Sequence, residues 1–494
     1  MARLVRLLIM SCAVLMLFEL AACPAVEDSL PPFTVTWTFD TNGQLEPCGC
    51  SSDLLGGLSR RAAIIKELRA IGPVLAIEGA HIFEEEGGFQ LFKGEIIAKA
   101  LNAMDYDAMM LGVREVQQGM SGITALEELA EFPLFSANLV VDGESWHVPS
   151  VIVDVDGASV GITGVSNPDL VEFELSEGTV FTEPEQALTS VLDEMAEKAQ
   201  VTIVCLEGEM AWQEKIADAF AERADLFLGG DRLQDPERRK EAIAQLSGAA
   251  RKGGKEMPNL QFIPEKSLLN NWGKGMYLGV IEVLPRRGGA KIIAANRPIL
   301  YATEAEQEIN DILELDYKPR LQEFFADYAG ELIQNYIGPS ECGDCHVEEY
   351  ENYLAAAHSR SFTSLKDVGR LYDPDCMCCH VVYDQTNDQL HAINCLVCHT
   401  NINWQHEWLA LENMVVVPEK PVTVYTYESC SRCHDPENSV PFAEHWPQYV
   451  NLIYHGGDIS KAEQAAMELG IDITEPPPDL IRATRDALAE NDES

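Results

Sequence analysis

The chain has 494 residues, too many for one ordinary domain, and 46% of them are hydrophobic, which is enough to build substantial cores. This composition excludes wholesale disorder and a fibrous repeat. With 80 acidic against 35 basic residues, the formal net charge is −45, so we expect no nucleic-acid partner and an attraction to basic proteins or cations. Solubility or a salty habitat is the simpler explanation of the acidity, and the spacing of the 14 cysteines is more informative.

Residues 1–22 are typical of an export signal. Two arginines, Arg3 and Arg6, precede the apolar run 7–18, which is too short to span a bilayer. The sequence Leu-Ala-Ala-Cys that follows resembles the bacterial lipobox and implies that Cys23 is the lipidated first residue of the mature protein. Ordinary cleavage without lipidation is the alternative. We expect an exported protein on the periplasmic or cell-surface side, anchored to a membrane through this lipid.

After a linker at 23–32, residues 33–302 alternate between strand and helix patterns. Helical periodicity occurs at Leu58–Ile71 and Glu183–Lys198. The apolar, β-rich runs lie at 33–37, 74–77, 151–153, 159–162, 201–204 and 276–281. This alternation predicts an α/β sandwich. Residues 303–337 are polar with a helical period and predict a connecting helical hairpin.

The composition changes after Gly338. Nine of the 11 histidines and nine of the 14 cysteines lie beyond it, and strand patterns almost disappear. The organising feature of this part is the motif Cys-x-x-Cys-His, which occurs four times: Cys342, Cys345 and His346; Cys376, Cys379 and His380; Cys395, Cys398 and His399; Cys430, Cys433 and His434. We therefore predict a mainly helical, haem-packed domain at 338–457 and an acidic C-terminal extension at 458–494.

This motif has the spacing of covalent haem attachment. Two thiols three residues apart can add to the two vinyl groups of one haem, and the next residue then supplies a proximal imidazole to the iron. One copy could equally be a redox dithiol or part of a zinc site, but zinc sites do not need a histidine after every cysteine pair. The sequence therefore predicts four covalent haems c, held by eight cysteines and four proximal histidines.

Residues 338–457 resemble the multihaem cytochrome c family typified by the tetrahaem protein that accepts electrons from hydroxylamine oxidoreductase. The matching segments are Gly338 to Cys342 with a downstream Ala-His, Asp375 to His380, Cys395 to His399 with His406, and Cys433 to Ser439 leading to His455-Gly456. The resemblance implies that His358, His406 and His455 are distal ligands. His391 is the candidate for the fourth iron, whereas His445 is more simply a surface or propionate-contacting histidine.

The number of distal ligands separates two functions. Iron held by two imidazoles has no open position, which favours electron transfer over substrate chemistry. If neither His391 nor His445 binds the fourth iron, one haem is five-coordinate. The alternative function is then a multihaem oxidoreductase acting on a nitrogen or sulfur compound.

Residues 33–302 resemble the calcineurin-like metallophosphatase domain of periplasmic 5′-nucleotidases. The matching segments are Thr38 to Gly43, Gly56 to Arg61, Ala100 to Ala108, Ser136 to Leu139 and Leu228 to Gly230. The resemblance implies a cleft that once held two metal ions, which polarise phosphate and generate hydroxide. The second, nucleotide-binding domain of those enzymes is missing, and the haem segment occupies its place in the chain.

The inherited ligand positions are altered. The family motif Asp-x-His is here Asp-Thr-Asn, its Gly-Asn-His-Glu is Gly112 to Glu115 with the ligand and the catalytic histidine replaced, and a histidine stands where the family has an aspartate. We therefore expect no ordinary dinuclear phosphatase. The positions that are still metal-capable, and could together hold one ion, are Asp40, Asn42, His81, Glu207 and Asp231.

A thiol pair, Cys48 and Cys50, borders this cleft, and the resemblance includes a subgroup with Cys-Gly-Cys here. Such a pair can bind a soft metal or alternate between dithiol and strained disulfide; a plain loop disulfide or an inert pair is the alternative. Cys205 could be a third thiol, although burial as a small hydrophobic residue is simpler. We interpret the chain as a tetrahaem electron-transfer protein whose redox partner has a basic docking surface. A docking role alone for residues 33–302 stays open.

Overall fold

The computed structural model describes residues 31–47, 55–84, 87–145, 147–231, 268–286, 289–300, 302–335, 338–344, 346–384, 389–399 and 430–434. Some residues with predicted roles lie outside these ranges: Cys23, Cys48, Cys50, Cys345, His406, His445 and His455. Among the described residues, no helix is long and apolar enough to cross a membrane.

Two large sheets form the centre of the N-terminal region. The first has the strand order β14-β13-β1-β2-β3-β4 and the second has the order β12-β11-β10-β8-β7. Their strands are β1 (Phe33–Thr38), β2 (Val74–Glu78), β3 (Ala108–Met110), β4 (Leu134–Phe135), β7 (Ser150–Val155), β8 (Ala158–Ser166), β10 (Val201–Glu207), β11 (Leu226–Asp231), β12 (Leu268–Trp272), β13 (Tyr277–Arg286) and β14 (Gly289–Pro298). A small third sheet contains β5 (Leu139–Val141), β6 (Glu144–Ser145) and β9 (Thr179–Phe181).

Helices cover the outer faces of both large sheets, so the region is a four-layer sandwich. The helices are α1 (Leu58–Arg69), α2 (Gly88–Ala103), α3 (Val113–Gln117), α4 (Gly119–Leu129), α5 (Pro184–Met195) and α6 (Met210–Phe220). The core between the sheets is apolar: Trp37 of β1, Ile162 of β8 and Leu228 of β11 are all fully buried there. Strands buried on both faces need near-continuous apolar runs, which is why composition located them. The predicted α/β sandwich is confirmed.

The connector differs from its prediction. In place of a hairpin, one irregular helical run extends through α7 (Gln307–Ile312), a π-helical turn at Leu313–Tyr317, α8 (Lys318–Arg320) and α9 (Phe325–Tyr328). The side chains of Ile309, Leu313 and Tyr317 are buried against α1 and α2, in the same apolar cluster as the sandwich. Helical periodicity in the sequence does not show whether a chain reverses direction. Here the helical elements follow one another without a reversal and pack against the sandwich.

The C-terminal segment, described over 338–344, 346–384, 389–399 and 430–434, combines short helices with a small sheet. The helices are α10 (Pro339–Gly343), α11 (Val347–Ala355), α12 (Ser361–Asp367), α13 (Pro374–His380) and α14 (Cys395–Cys398). The sheet, absent from the mainly helical prediction, has β15 (Ile333–Asn335) parallel to β16 (Val381–Asp384), which pairs antiparallel with β17 (Gln389–Ala392). These strands of three or four residues are too short to show a period of two in the sequence.

Candidate functional site

Three of the predicted site residues meet at one end of the sandwich. Asp40 follows β1, His81 follows β2 and Glu207 ends β10. Because the carboxyl ends of parallel strands meet at one edge of a sheet, side chains from separate strands converge there. His81 Nδ1 lies 2.7 Å from Asp40 Oδ1, and its Nε2 contacts Glu207 Oε1. All three side chains are buried.

The imidazole of His81 is a cation in this arrangement. Burial alone would lower its pKa, but the charge of Glu207, together with the hydrogen bond and charge of Asp40, raises the pKa of His81 to about 9. The pKa of Glu207 is lowered in turn, because the attraction of His81 outweighs the cost of burial. A buried imidazolium therefore bridges two strand ends at neutral pH.

The backbone at this site is held in a conformation that ordinary residues rarely adopt. Asp40, Asn42 and His81 have φ angles of 52°, 47° and 69°, in the left-handed region. Such residues cost about 1–3 kcal/mol each and cluster at functional sites. Backbone bonds stabilise the loops, since the Asn42 N–H donates to the His81 carbonyl at 2.8 Å. A Cβ on Gly230 would lie 2.2 Å from Asp40 Oδ2, so only glycine permits this approach.

Glu115 organises the loops around the cluster, a role that sequence reasoning missed. Its fully buried carboxylate accepts the backbone N–H groups of Gly112 at 3.0 Å, His81 at 3.2 Å and Ile82 at 2.8 Å. Burial raises its pKa, and the charge of His81 opposes this. Residues 112–115, which lack the family's ligand and histidine, therefore serve here as a backbone clamp.

A buried ion pair stabilises the loop that follows β1. Arg61 Nη1 lies 2.9 Å from Glu78 Oε2, and both side chains are shielded from solvent. The hydroxyls of Thr38 and Thr41 donate to the same carboxylate at 2.5 and 2.6 Å. Since Thr41 directly follows Asp40, this network holds the approach to the cluster.

The N-terminal region is similar in sequence to known 5′-nucleotidases. It is 32% identical over 150 residues to a snake venom 5′-nucleotidase from Gloydius brevicauda, a match covering 28% of this chain and 26% of that protein. The chain is 24% identical over 340 residues to the bovine 5′-nucleotidase, and the match covers 64% of this chain and 57% of the other. The chain thus spans about a quarter to just over half of these relatives. The N-terminal region is a 5′-nucleotidase-like domain.

Two further comparisons accompany this result. No family model matches the chain. Among solved structures, the 5′-nucleotidase precursor from Thermus thermophilus superposes with a TM-score of 0.49 and 18% identity, over 69% of this chain and 68% of that one.

The nucleotidase-like domain unites part of the predicted metal set. His81 contacts both Asp40 and Glu207, Asn42 reaches His81 through its backbone, and Asp231 ends β11. Within the described ranges, no group of three or more His, Cys, Asp or Glu side chains could hold a metal ion. The single-ion site stays a prediction, and an ion there would have to replace both hydrogen bonds of His81.

Cys205 of the nucleotidase-like domain packs in the core between the sheets and not in the cleft. It is completely buried, and burial raises the pKa of its thiol to about 12. The structure therefore supports the simpler alternative, a small hydrophobic residue.

In the C-terminal segment, the described residues of each Cys-x-x-Cys-His motif form one helical turn. The N–H of His399 donates to the carbonyl of Cys395 at 2.8 Å, and that of His434 to the carbonyl of Cys430 at 2.9 Å. His346 makes the same bond to Cys342 at 2.9 Å, and the second motif lies within α13. Residues three and four apart share one face of a helix, so both thiols and the imidazole of a motif point to one side.

Two histidines of this segment have pKa values that burial lowers. The Nδ1 of His380 is 3.2 Å from the carbonyl oxygen of Ser361, and burial lowers the pKa of His380. The ring of His358, a predicted distal ligand, has its centroid 6.1 Å from that of His434. Burial, followed by the nearby His434, lowers the pKa of His358 to about 4, so this ring is neutral at pH 7.

His391, the candidate for the fourth iron, lies in β17. Its Nε2 is 3.6 Å from the buried Asp384 Oδ2 of β16. Its role as a distal ligand stays a prediction, as do those of His406 and His455, which lie outside the described residues.

Proposed function

We propose that the chain is an exported multihaem c-type cytochrome that transfers electrons, and that its nucleotidase-like domain no longer works as a dinuclear phosphatase. The observation that carries this proposal is the motif Cys-x-x-Cys-His, repeated four times. Four covalent haems c are the cofactors that this motif requires. Each haem supplies an iron that gains and loses one electron; the chain's own residues attach, orient and shield it.

The described side chains fit this cofactor. In α13, Cys376 and Cys379 share a face with His380 next to them. The bond between His380 Nδ1 and the Ser361 carbonyl leaves Nε2 as the ligating nitrogen, which is the usual way a protein orients a metal-binding imidazole. Because only the neutral ring binds a metal, the lowered pKa values of His380 and His358 favour ligation.

Contacts between motifs support transfer along a chain of haems. The Cys379 Sγ lies 4.0 Å from the carbonyl oxygen of Arg432, inside the fourth motif. A hydrogen bond with Cys342 lowers the pKa of Cys395, so the first and third motifs also touch. Haems attached at touching motifs would be neighbours, which suits electron hopping better than isolated chemistry.

The nucleotidase-like domain is proposed to take part through thiols and not through phosphate hydrolysis. Its relatives are 5′-nucleotidases, but the bridge of His81 between Asp40 and Glu207 occupies the carboxylates that a dinuclear metal centre would use. We propose that Cys48 and Cys50 form a redox or soft-metal site. In the redox form, oxidation of the dithiol to a disulfide releases two protons and two electrons, which reduce two haem irons.

The proposed location and partner follow from the sequence. Lipid on Cys23 would anchor the protein to a membrane outside the cytoplasm. The formal charge of −45 favours a redox partner with a basic docking surface.

Haem stoichiometry tests the proposal. We expect the exported full-length protein to carry four covalently bound haems by pyridine haemochrome, and the Cys376→Ser/Cys379→Ser variant to carry three. The matched control is Cys378→Ser, which removes an exposed thiol of the same motif and should keep all four. Exported protein without covalent haem would overturn the electron-transfer proposal.

Two further measurements separate the alternatives. Carbon monoxide added to the ferrous protein should give no ligand-bound spectrum; a bound species would favour the oxidoreductase with a five-coordinate haem. The Cys48→Ser/Cys50→Ser variant should lose substrate-linked haem reduction, and an unchanged rate would favour a docking role for the domain.

A further inference from the structure

The nucleotidase-like domain contacts the second haem motif through one buried lysine. Lys93 of α2 is 1% exposed, and its ammonium group forms an ion pair with Asp375, the residue before Cys376. Gly43, in the loop that follows β1, leaves room for this side chain, since a Cβ there would lie 2.7 Å from Lys93 Nζ. The lysine therefore lies between the cleft loop and the helix that carries the second motif.

The charged groups around this contact include one fully buried acid, whereas Asp375 itself is partly exposed. Asp373 is fully buried and accepts hydrogen bonds from Arg370 at 2.7 Å and from the Tyr317 hydroxyl at 3.2 Å. It also caps α13 by accepting the N–H of Asp375 at 3.1 Å. A buried acid with three donors is an ordered element, so it fixes the start of the helix bearing the second motif.

A second ion pair connects the same two regions. Glu46, in the loop after β1, lies 3.5 Å from Arg370 and 3.2 Å from Lys318, and all three side chains are mostly buried. Three cations (Lys93, Lys318 and Arg370) thus face four carboxylates: Glu46, Asp373, Asp375 and the more exposed Glu314, which lies 2.6 Å from Lys318. Charges in such low-dielectric surroundings act over longer distances than charges in water.

We propose that the nucleotidase-like domain sets the reduction potential of the second haem through Lys93. This inference rests on the proposed haem-binding function. The couple concerned is the one-electron reduction of ferric to ferrous haem, in which no bond forms or breaks. A cation held beside the motif disfavours the extra positive charge of the ferric state. Lys93 is therefore a positioning and tuning residue, whose charge raises the potential of this haem.

The test is a spectroelectrochemical titration of the intact four-haem protein with dithionite as reductant. Lys93→Met should lower the potential of one of the four haems, by about 59 mV if the reduction equilibrium changes tenfold. Asp375→Asn, which removes the opposite charge, should raise the potential of the same haem. The double variant should return close to the parent value, and Lys93→Arg should behave as the parent.

One control variant tests whether the shift is specific to Lys93, and one axial-ligand variant identifies which haem is affected. Lys99→Met changes a lysine on the same helix that pairs with Glu95 and Asp316, and it should leave all four potentials unchanged. His380→Met alters the axial ligand of the second haem and displaces its component, and the Lys93→Met shift should follow that component.

The outcomes distinguish the two proposals. Four haems with potentials unaffected by either Lys93→Met or Asp375→Asn would overturn the tuning role and leave the haem proposal intact. Shifts of the same sign in both variants would also overturn it, because they indicate a loss of packing and not of charge. Protein without haem would overturn the proposed function itself. If Lys93→Met fails to fold, Lys93→Gln takes its place, and unchanged potentials in that variant would overturn the tuning role.

Discussion

The nucleotidase-like domain and the C-terminal segment differ in how much apolar core their own side chains form. The nucleotidase-like domain supplies its own core, with apolar clusters between the sheets and beneath both helical layers. The described C-terminal segment has one small cluster of buried side chains, and two of the five residues in this cluster, Tyr328 and Leu332, come from the connector. Folding requires apolar burial. The first region should therefore be stable from its own side chains, and under the proposed function covalent haem would supply the interior of the second.

The largest expected effect is on the stability of the nucleotidase-like domain. Arg61→Met leaves the buried Glu78 without its cationic partner, and removing one member of a buried ion pair costs about 3–5 kcal/mol of unfolding free energy. Urea unfolding followed by tryptophan fluorescence measures this loss. The matched control, Arg297→Met, breaks the exposed pair with Glu67 and should cost below about 1 kcal/mol. Equal losses in both variants would contradict the structure.

A second effect depends on pH. The pKa of His81 is about 9 in the folded protein and 6.5 in the unfolded chain, so its bridge stabilises fully below pH 6.5. This contribution, at most about 3 kcal/mol, is lost as pH rises through 9. The difference in unfolding free energy between the parent and His81→Gln should therefore shrink between pH 6.5 and 9.5.

His147 provides the control for this experiment. Burial lowers its pKa to about 4, so it is neutral in both states above pH 7. The difference in unfolding free energy between the parent and His147→Gln should stay constant from pH 7 to 9.5. A flat His81 difference as well would show that the imidazolium bridge does not form.

The smallest effect compares one type of change in both regions. Asn167 caps a turn in the nucleotidase-like domain by accepting the N–H of Asp169, and Asn394 caps α14 by accepting that of Leu396. Each Asn→Ala variant should cost about 1 kcal/mol. The first loss should appear in tryptophan fluorescence and the second in haem absorbance during unfolding. Both losses in a single shared transition would mean that the regions do not differ in their source of stability.

Much of the fold could be predicted because its signals are local. Strands such as β1 and β10 are buried on both faces, so their apolar runs stand out, and α1 begins after the paired glycines Gly56 and Gly57. The connector was predicted as a hairpin because periodicity does not reveal direction. The sheet of β15, β16 and β17 was missed because its parallel pair joins residues far apart in the chain.

The candidate site was only partly predictable. Asp40, His81 and Glu207 could be proposed as metal-capable residues, but their side-chain types do not reveal that the imidazole bridges the two carboxylates. Glu115 gave no signal, because its partners are backbone groups. Lys93 offered one weak sign, a lone lysine on the apolar face of α2.

The sequence by itself determined the four Cys-x-x-Cys-His motifs, because two thiols and an imidazole within five residues carry their geometry in a single helical turn. It also determined the alternation of strands and helices. Only the tertiary structure decided that His81 is a buried cation between Asp40 and Glu207, and that Lys93 meets a carboxylate 282 residues away. The physical reason is that burial and charge depend on which distant segments pack together, and no local pattern contains that information.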